Sequence, residues 1–342
     1  MRQTDTPDSP ARHLSELING FWATQAISTA VGLGIPEVLA AGPRRAESIA
    51  ESVSAHAPSV FRLLRGLQTL GVCRRLEDGR FELTAAGELL RADVPGSLRG
   101  RALFNGGMLW KQFGDLSHCV KTGERMRAHA SGEEGFNELA SDPVRLASFQ
   151  KAMAESSIRA TRDAMKVYDF GQFATVLDLG GGYGGVLSVL LATFPKMTGA
   201  VCDLAYLTQS ASEFLLHAGV SARGRFLGGN FFEAVPRGYD AYIMKYILHD
   251  WDDEHALRIL GNCRTAAAAA TKIVLLEQLV PQQLGTGFTD QAVIRADLTM
   301  LGVGGKERTA AEYGELFART GWRLSSVIPT SGEFSVLEAV TA

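Results

Sequence analysis

A histidine followed at once by several acids is the part of this sequence best suited to proton transfer. Residues 240–254 read DAYIMKYILHDWDDE, so an apolar run ends at His249. Such a run predicts a buried strand, and ligands of open α/β sheets bind where strands end. A neutral imidazole, with an ordinary pKa near 6.5, can accept a proton there. We therefore predict that His249 stands at the rim of a catalytic site.

The acids after His249 have a simpler interpretation as the start of a helix. Carboxylates in a first turn cap free N–H groups and complement the helix dipole, which we expect of Asp252 and Asp253. Asp250 suits either capping or substrate positioning. His249 and Asp253 are four residues apart and His255 is close to both in sequence, which suggests a metal site. Because His249 precedes the helix, helical spacing does not bring these residues together, and we predict no metal.

A glycine-rich turn supplies the second chemical signal. Residues 176–185 read VLDLGGGYGG, which predicts a strand, a tight turn and then a helix. Glycines let a ligand approach the backbone, and the first N–H groups of the helix point towards it. One strand later, Asp203 can accept hydrogen bonds from a ribose. The spacing fits both the dinucleotide fingerprint and the G-x-G-x-G of S-adenosylmethionine enzymes, so the turn indicates an adenosine cofactor of either kind.

Strands and helices alternate from Thr175 onwards, which predicts an α/β, Rossmann-like domain over residues 171–342. Only Pro329 to Glu333 separate the last two strands, so they should form an antiparallel hairpin. The predicted strands are Thr175 to Gly180, Thr198 to Asp203, Arg223 to Leu227, Tyr239 to Leu248, Lys272 to Val280, Arg323 to Ile328 and Phe334 to Val340.

The amino-terminal part, residues 1–95, has the outline of a winged helix: two helices and a hairpin that turns at Asp78-Gly79. Acidic neighbours and the lack of a basic stripe disfavour DNA binding. Phe21 and Trp22 are large for a surface helix, which suggests contact with a second subunit. We assign residues 96–170 to a helical linker beside the substrate pocket, ending in one long helix from Pro143 to Phe170.

The composition is that of an ordinary globular protein. The chain has 342 residues, 46% of them hydrophobic, and a net charge of -3, so no general attraction to nucleic acid or to an anionic membrane is expected. The four cysteines form no C-x-x-C pair. Neither a signal peptide nor a membrane span is evident, and we expect a cytoplasmic protein.

Four segments, in this order and spacing, resemble one family. DLGGGYGG, MKYILHDWDDE, LLEQLVP and GGKERT are similar to the small-molecule O-methyltransferases related to plant caffeate and acetylserotonin methyltransferases and to bacterial phenazine and polyketide methyltransferases. The resemblance runs from about Leu14 to the end of the chain. It implies a winged-helix dimerisation domain, a homodimer, and S-adenosylmethionine as methyl donor.

The resemblance also implies roles for individual residues. His249 matches the general base, and Glu277 and Glu307 match the two carboxylates that flank it. The chain has Gly229-Asn230-Phe231 where the family usually has Gly-Asp-hydrophobe, and the Asn230 amide oxygen can still accept from the adenine amino group. The positions around the cofactor are Asp178, Gly180, Gly182, Asp203, Leu204, Asn230, Phe231 and Lys245.

We expect methyl transfer to a hydroxyl of a small, flat aromatic metabolite. Two alternatives stay open: an NAD-dependent oxidoreductase that uses the same glycines, and a winged-helix DNA-binding regulator that senses a metabolite. The sequence identifies neither the acceptor nor the number of methylations, and it does not decide between oxygen and nitrogen as the methylated atom. Besides Asp250, the candidate pocket residues are Trp110, Phe136, Phe149, Met153, Ala296, Met300 and Leu301.

Overall fold

The computed structural model describes residues 9–126 and 141–342. The chain divides after Lys111 into two units, residues 1–111 and 112–342. The finer division into residues 1–95, 96–170 and 171–342 stays a prediction. Among the described residues, no helix is long and apolar enough to cross a membrane.

The first unit consists of short helices around a small hairpin. The hairpin is antiparallel, and Gly79 has a φ of +85° in its turn, as the Asp-Gly signal predicted. Val31, Ile49, Leu64 and Phe81 form part of a shared core. The elements are α1 (Pro10–Asn19), α2 (Phe21–Gly32), α3 (Ile35–Ala40), α4 (Ala46–Ser52), α5 (Ala57–Thr69), β1 (Cys73–Arg75), β2 (Phe81–Leu83), α6 (Ala85–Glu88), α7 (Arg99–Phe104), a π-helical turn (Asn105–Leu109) and α8 (Trp110–Phe113), which crosses into the second unit.

The second unit is a seven-stranded sheet with helices. Its elements continue with α9 (Leu116–Thr122), α10 (Pro143–Ala164), β3 (Thr175–Leu179), α11 (Gly185–Thr193), β4 (Thr198–Asp203), α12 (Thr208–His217), β5 (Gly224–Gly228), β6 (Ala241–Lys245), α13 (Asp253–Ala266), β7 (Lys272–Glu277), α14 (Phe288–Val303), α15 (Ala310–Arg319), β8 (Trp322–Pro329) and β9 (Ser335–Thr341). Short 3₁₀ turns cover Phe170–Gln172, Ala205–Leu207 and Leu248–Asp250.

The strand order places the predicted site residues together. The sheet runs β5-β4-β3-β6-β7-β9-β8, parallel from β5 to β7, with β9 antiparallel to both β7 and β8. The predicted α/β fold with a carboxyl-terminal hairpin is confirmed. The chain reverses its direction of sheet growth at β3, so β3 and β6 enclose the topological switch point, where such sheets bind ligands.

Several predicted elements end earlier than expected, among them β7, which stops at Glu277 instead of Val280. The helix from Pro143 stops at Ala164 instead of Phe170, because Tyr168 and Phe170 turn into the core beneath the sheet. Strand β6 stops at Lys245 instead of Leu248, because Tyr246 takes a φ of +56° and breaks the extended backbone. His249 therefore lies in a 3₁₀ turn beyond the strand.

Candidate active site

The glycine turn after β3 is fastened to the end of β4. The Gly182 N–H donates to Asp203 Oδ2 at 2.7 Å, and the Leu204 N–H donates to Asp203 Oδ1 at 2.7 Å. Gly182 has a φ of +57°, and a Cβ there would lie 2.5 Å from Gln150 Oε1 on α10, so the turn requires glycine. Each Asp203 oxygen keeps a second acceptor site, which fits the two hydroxyls of a ribose.

Asp178, the last acid of β3, supports the glycine turn from beneath. Its side chain is buried, and Oδ2 accepts from the Leu187 N–H at 3.2 Å, whereas Oδ1 has no partner. A Cβ on Gly181 would lie 2.4 Å from Asp178 Cγ. Burial raises the pKa of Asp178 to about 7. Asp178 therefore holds the turn in place.

Asn230 and Phe231 follow β5 close to the same turn. Asn230 Oδ1 accepts from the Phe232 N–H at 2.9 Å, so the amide oxygen assigned to adenine already closes a local turn. The half-buried Phe231 ring lies 3.5 Å from the position of a Cβ on Gly180. It packs edge-to-face against Trp251. The structure thus brings Phe231 to the glycine turn.

Lys245 ends β6 as a buried cation. Its Nζ donates to Ser156 Oγ on α10 at 3.1 Å and lies 4.5 Å from the centroid of the Tyr246 ring. Burial lowers the pKa of Lys245 to about 8, although Glu277 and Asp250 act in the opposite direction. Lys245 is therefore a buried amine close to several acids at the switch point.

The turn that carries His249 is held by the end of β7 on one side. Glu277 Oε1 accepts from the Ile247 N–H at 3.3 Å and from the Leu248 N–H at 3.2 Å. These N–H groups cannot join the sheet because the strand has broken at Tyr246. Buried N–H groups need a hydrogen-bond acceptor, and the fully buried Glu277 carboxylate provides it in place of the missing strand partner.

Residues 305–308 hold the same turn from the other side. The Lys306 N–H donates to the His249 carbonyl oxygen at 2.9 Å. A Cβ on Gly305 would lie 2.0 Å from that oxygen, so only glycine permits this approach. The buried Arg308 guanidinium donates to the carbonyl oxygens of Leu248 at 2.7 Å and Trp251 at 2.8 Å. The segment with Glu307 and the turn with His249 therefore form one hydrogen-bonded unit.

The imidazole of His249 is buried among acids. Its Nδ1 lies 2.8 Å from Glu307 Oε1, and its Nε2 lies 3.3 Å from Asp250 Oδ1. Its ring stacks on Tyr246, with centroids 3.9 Å apart and planes 8° from parallel. Nδ1 therefore makes the closer contact, with Glu307, and Nε2 makes the longer one, with Asp250.

The surroundings change the acidity that the sequence suggested for His249. Burial alone lowers its pKa, but Asp250, Glu307 and Glu277 together raise it to about 9. The assumption of an ordinary imidazole with a pKa near 6.5 was therefore wrong, because it left out three acids that the fold gathers. Burial in turn raises the pKa of Glu277 to about 7.

The side chains of His249, Glu277 and Glu307 together offer donor atoms that a divalent cation can use. One ligand atom each from His249, Glu277 and Glu307 lies within 4.8 Å of the others. The set considered from the sequence is not brought together: Asp253 bonds Arg308, and His255 bonds Asp252, which caps α13. Asp253 is thus an ion-pair partner and not the expected cap. The absence of a metal stays a prediction.

Apart from Asp250, the candidate pocket residues that the structure describes lie on three helices. Trp110 is 41% exposed in the first unit, where it faces Phe21 with centroids 6.5 Å apart. Phe149 and Met153 are half-buried on α10. Phe136 lies outside the described residues. Helix α14 packs against the turn Leu248–Asp250, and its half-buried members of the set are Ala296, Met300 and Leu301.

Sequence reasoning missed the residues that position this site. Tyr246, Gln150, Ser156 and Arg308 carry no recognisable catalytic signal by themselves. Only Arg308 offered a hint, because it follows Glu307 in GGKERT. An arginine buried beside carbonyl oxygens becomes visible only in three dimensions.

A glycine turn and a buried histidine-acid cluster at one switch point define a cofactor-dependent group-transfer enzyme. The family description of an O-methyltransferase domain matches residues 113–323, and that of an O-methyltransferase dimerisation domain matches residues 15–93. The chain belongs to this O-methyltransferase family. It is an S-adenosylmethionine-dependent O-methyltransferase, as the sequence predicted.

Individual relatives agree over nearly the whole chain. A phenazine O-methyltransferase of Lysobacter antibioticus is 36% identical over 327 residues, 95% of both chains. A mitomycin biosynthesis 6-O-methyltransferase of Streptomyces lavendulae is 32% identical over 96% of both chains. The crystal structure of an O-methyltransferase from neocarzinostatin biosynthesis, in complex with S-adenosylmethionine and 2-hydroxy-5-methyl naphthoic acid, is 33% identical with a TM-score of 0.79, covering 98% of this chain and 100% of that one.

Proposed function

We propose that this enzyme methylates a hydroxyl of a small aromatic metabolite, with His249 Nε2 as the general base. The observation that carries the proposal is the 2.8 Å contact between His249 Nδ1 and the buried Glu307 carboxylate. A carboxylate at this distance favours the tautomer with its proton on Nδ1, which makes Nε2, beside Asp250, the nitrogen that receives the proton of the substrate. The relatives named above support the substrate class, because one is a phenazine methyltransferase and another binds a naphthoic acid.

The residues at the switch point fit the methyl donor. Gly182 has the positive φ of a close backbone approach, and Asp203 presents a fixed carboxylate at the end of β4. We assign the ribose to Asp203, the adenine side to Asn230 and Phe231, and a neighbouring position to Lys245. Gly180, Leu204 and the underlying Asp178 complete the assignment. When bound, S-adenosylmethionine supplies a methyl group on a positively charged sulfur.

The base and its partners perform the proton transfer. Neutral Nε2 accepts the proton of the acceptor hydroxyl as that oxygen gains its methyl group. Glu307 stabilises the imidazolium that results, and Glu277 holds the backbone of the turn. Asp250 beside Nε2 suits a positioning role for the acceptor. Helices α10 and α14 supply Phe149, Met153, Ala296, Met300 and Leu301 as candidate walls.

A titration and an acceptor panel test this proposal. Calorimetry with S-adenosylhomocysteine should show micromolar binding, whereas NADH should not bind. A hydroxyphenazine, a hydroxynaphthoic acid, a catechol and an aromatic amine then serve as acceptors. His249→Ala should keep the affinity for S-adenosylhomocysteine and lose about 100-fold or more in kcat, the usual contribution of a general base. His217→Ala, at the exposed end of α12, is the control.

Two results would contradict the proposal. A His249→Ala enzyme that keeps its rate would exclude the histidine as base. Methylation of the amine alone would move the acceptor class from oxygen to nitrogen. Membership of the O-methyltransferase family favours the proposal over the oxidoreductase and the DNA-binding regulator.

We also propose a homodimer formed through the first unit. A dimerisation domain matches residues 15–93, and α1 together with the first residue of α2 exposes a row of apolar side chains. Leu14, Leu17, Ile18 and Phe21 are each more than half exposed, at 57%, 61%, 66% and 56%. A row of this kind is costly to leave in water, so a second copy of the helix is its natural cover.

A further inference from the structure

Tyr246 occupies a costly backbone conformation directly beside the proposed base. Its φ of +56° is rare for an aromatic residue and breaks β6 three residues before His249. Strained conformations of this kind persist where the surrounding structure holds them in place. In this case the turn is held by Glu277 and by Arg308. The result is that the ring of Tyr246 folds back over the imidazole.

The stacked geometry is close and nearly parallel. The Tyr246 and His249 ring centroids are 3.9 Å apart, with planes 8° from parallel, and Phe334 meets the Tyr246 ring edge-on at 4.7 Å. The in-plane atoms Nδ1 and Nε2 face Glu307 and Asp250, so the acids control the edge of the imidazole and Tyr246 covers a face. The electron-rich face of an aromatic ring attracts a cation placed over it.

We propose that Tyr246 is a positioning residue for the base: its ring fixes the plane of the His249 imidazole and stabilises the imidazolium formed when the acceptor hydroxyl is deprotonated. This inference rests on the proposed role of His249 as base. The stabilisation of the imidazolium comes from the face of the Tyr246 ring and not from its hydroxyl, because the ring face makes the contact with His249. Phenylalanine should therefore replace tyrosine, and an aliphatic side chain should not.

Other charged groups around the two rings set the background for any pH measurement. Asp250 lies on the same turn, Glu277 at the end of β7, and Glu307 before α15. Lys245 Nζ lies 4.5 Å from the Tyr246 ring centroid, and Asp297 on α14 accepts from the Glu307 N–H. Burial raises the pKa of the Tyr246 hydroxyl, and the positive charge of Arg295 on α14 acts in the opposite direction. None of these groups is itself replaced in a Tyr246 variant, so the difference between Tyr246→Phe and Tyr246→Leu reports the loss of the ring, including its contact with Lys245.

The test compares Tyr246→Phe, Tyr246→Leu and Tyr246→Asn with the full-length enzyme. Leucine keeps an apolar side chain without a π face, and asparagine adopts positive φ more readily than most residues. Calorimetry with S-adenosylhomocysteine shows whether each variant is folded. The pKa of His249 is followed by NMR of labelled histidine, its signal among the seven histidines being identified by its loss in His249→Gln.

We expect Tyr246→Leu to lower the pKa of His249 by about 0.5 to 1.5 units and, at a pH above that pKa, to lower kcat by roughly 3- to 30-fold. Tyr246→Phe should keep both values, and Tyr246→Asn should lose kcat although its backbone is relaxed. An unchanged pKa and kcat in Tyr246→Leu, or a loss in Tyr246→Phe equal to that in Tyr246→Leu, would overturn the inference. If His249→Gln also keeps its kcat, the proposed base has failed; if His249→Gln is inactive, only the role of Tyr246 has failed.

Discussion

Replacing Glu307 by glutamine removes the negative charge beside His249, the proposed base, and keeps a hydrogen-bond acceptor for its Nδ1. The Glu307 side chain is fully buried, and Oε1 lies 2.8 Å from His249 Nδ1. A hydrogen bond to a charged group contributes about 1.5–3 kcal/mol, against about 0.5–1.5 kcal/mol for a neutral one. The difference of about 1.5 kcal/mol corresponds to roughly one pKa unit. The pKa of His249, about 9 in the parent enzyme, should therefore fall by about one unit in Glu307→Gln.

The expected loss of activity depends on pH. Above both pKa values the imidazole starts neutral, and the imidazolium that forms has lost about 1.5 kcal/mol, so kcat/KM should fall about tenfold. Below both pKa values His249 is already protonated in the free enzyme. The substitution then destabilises the free enzyme and the transition state by the same amount, so kcat/KM should change little. The deficit of Glu307→Gln should therefore grow from about pH 6 to pH 10.

Initial rates with an acceptor from the panel, measured across this range, provide the assay. Glu312→Gln is the matched control, because Glu312 lies nearby in the capping box of α15, where glutamine caps equally well. The reasoning is refuted by a deficit that is equal at all pH values, which would mean that Glu307 acts only by orienting the ring. It is also refuted by an acid limb of the parent enzyme that lies near pH 6.5.

Three further changes test the remaining structure. Arg308→Met leaves the carbonyl oxygens of Leu248 and Trp251 without their donor, and the free energy of unfolding by urea should fall by about 2–5 kcal/mol; a fall under 1 kcal/mol contradicts this. Gly305→Ala places a Cβ 2.0 Å from the His249 carbonyl oxygen, so kcat should fall about tenfold or more while calorimetry shows retained S-adenosylhomocysteine binding; an unchanged kcat would mean that the turn adapts without cost. Ile18→Glu should convert the dimer to a monomer in sedimentation experiments, whereas Ser15→Glu should not, and a dimeric Ile18→Glu would place the interface elsewhere.

The order of elements could be predicted because it depends on local pattern. Apolar runs and glycines located β3, β4 and β6, and the five-residue gap after Pro329 excluded a parallel crossover. Family resemblance then supplied Glu277 and Glu307. Glu277 also stands out as a carboxylate inside an apolar run, whereas no local pattern singles out Glu307. The structure brings both to His249, although by different contacts: Glu307 meets the imidazole, and Glu277 meets the backbone before it.

The ends of elements could not be predicted because tertiary contacts decide them. Residues 239–248 are almost continuously apolar, and nothing in that pattern indicates that Tyr246 takes a positive φ. The break is stable because Glu277, from a different strand, accepts the two N–H groups that leave the sheet. Asn230 shows the same limit, since its amide oxygen closes a turn with Phe232 that composition does not reveal.

The raised pKa of His249 brings the proposed base closer in acidity to a phenolic acceptor. The pKa of a phenol, near 10, is about 3.5 units above that of an ordinary imidazole, so proton transfer from the phenol to the imidazole costs about 5 kcal/mol. With the pKa of His249 raised to about 9, the same transfer costs only about 1.4 kcal/mol. Near pH 7 most of the histidine is then protonated, which reduces the fraction of active base by a comparable factor. The lower cost of proton transfer therefore raises the rate in mildly alkaline solution. It also raises the rate with acceptors acidic enough to bind as phenolates beside the imidazolium, because a phenolate–imidazolium pair holds the same number of protons as a neutral phenol beside a neutral imidazole.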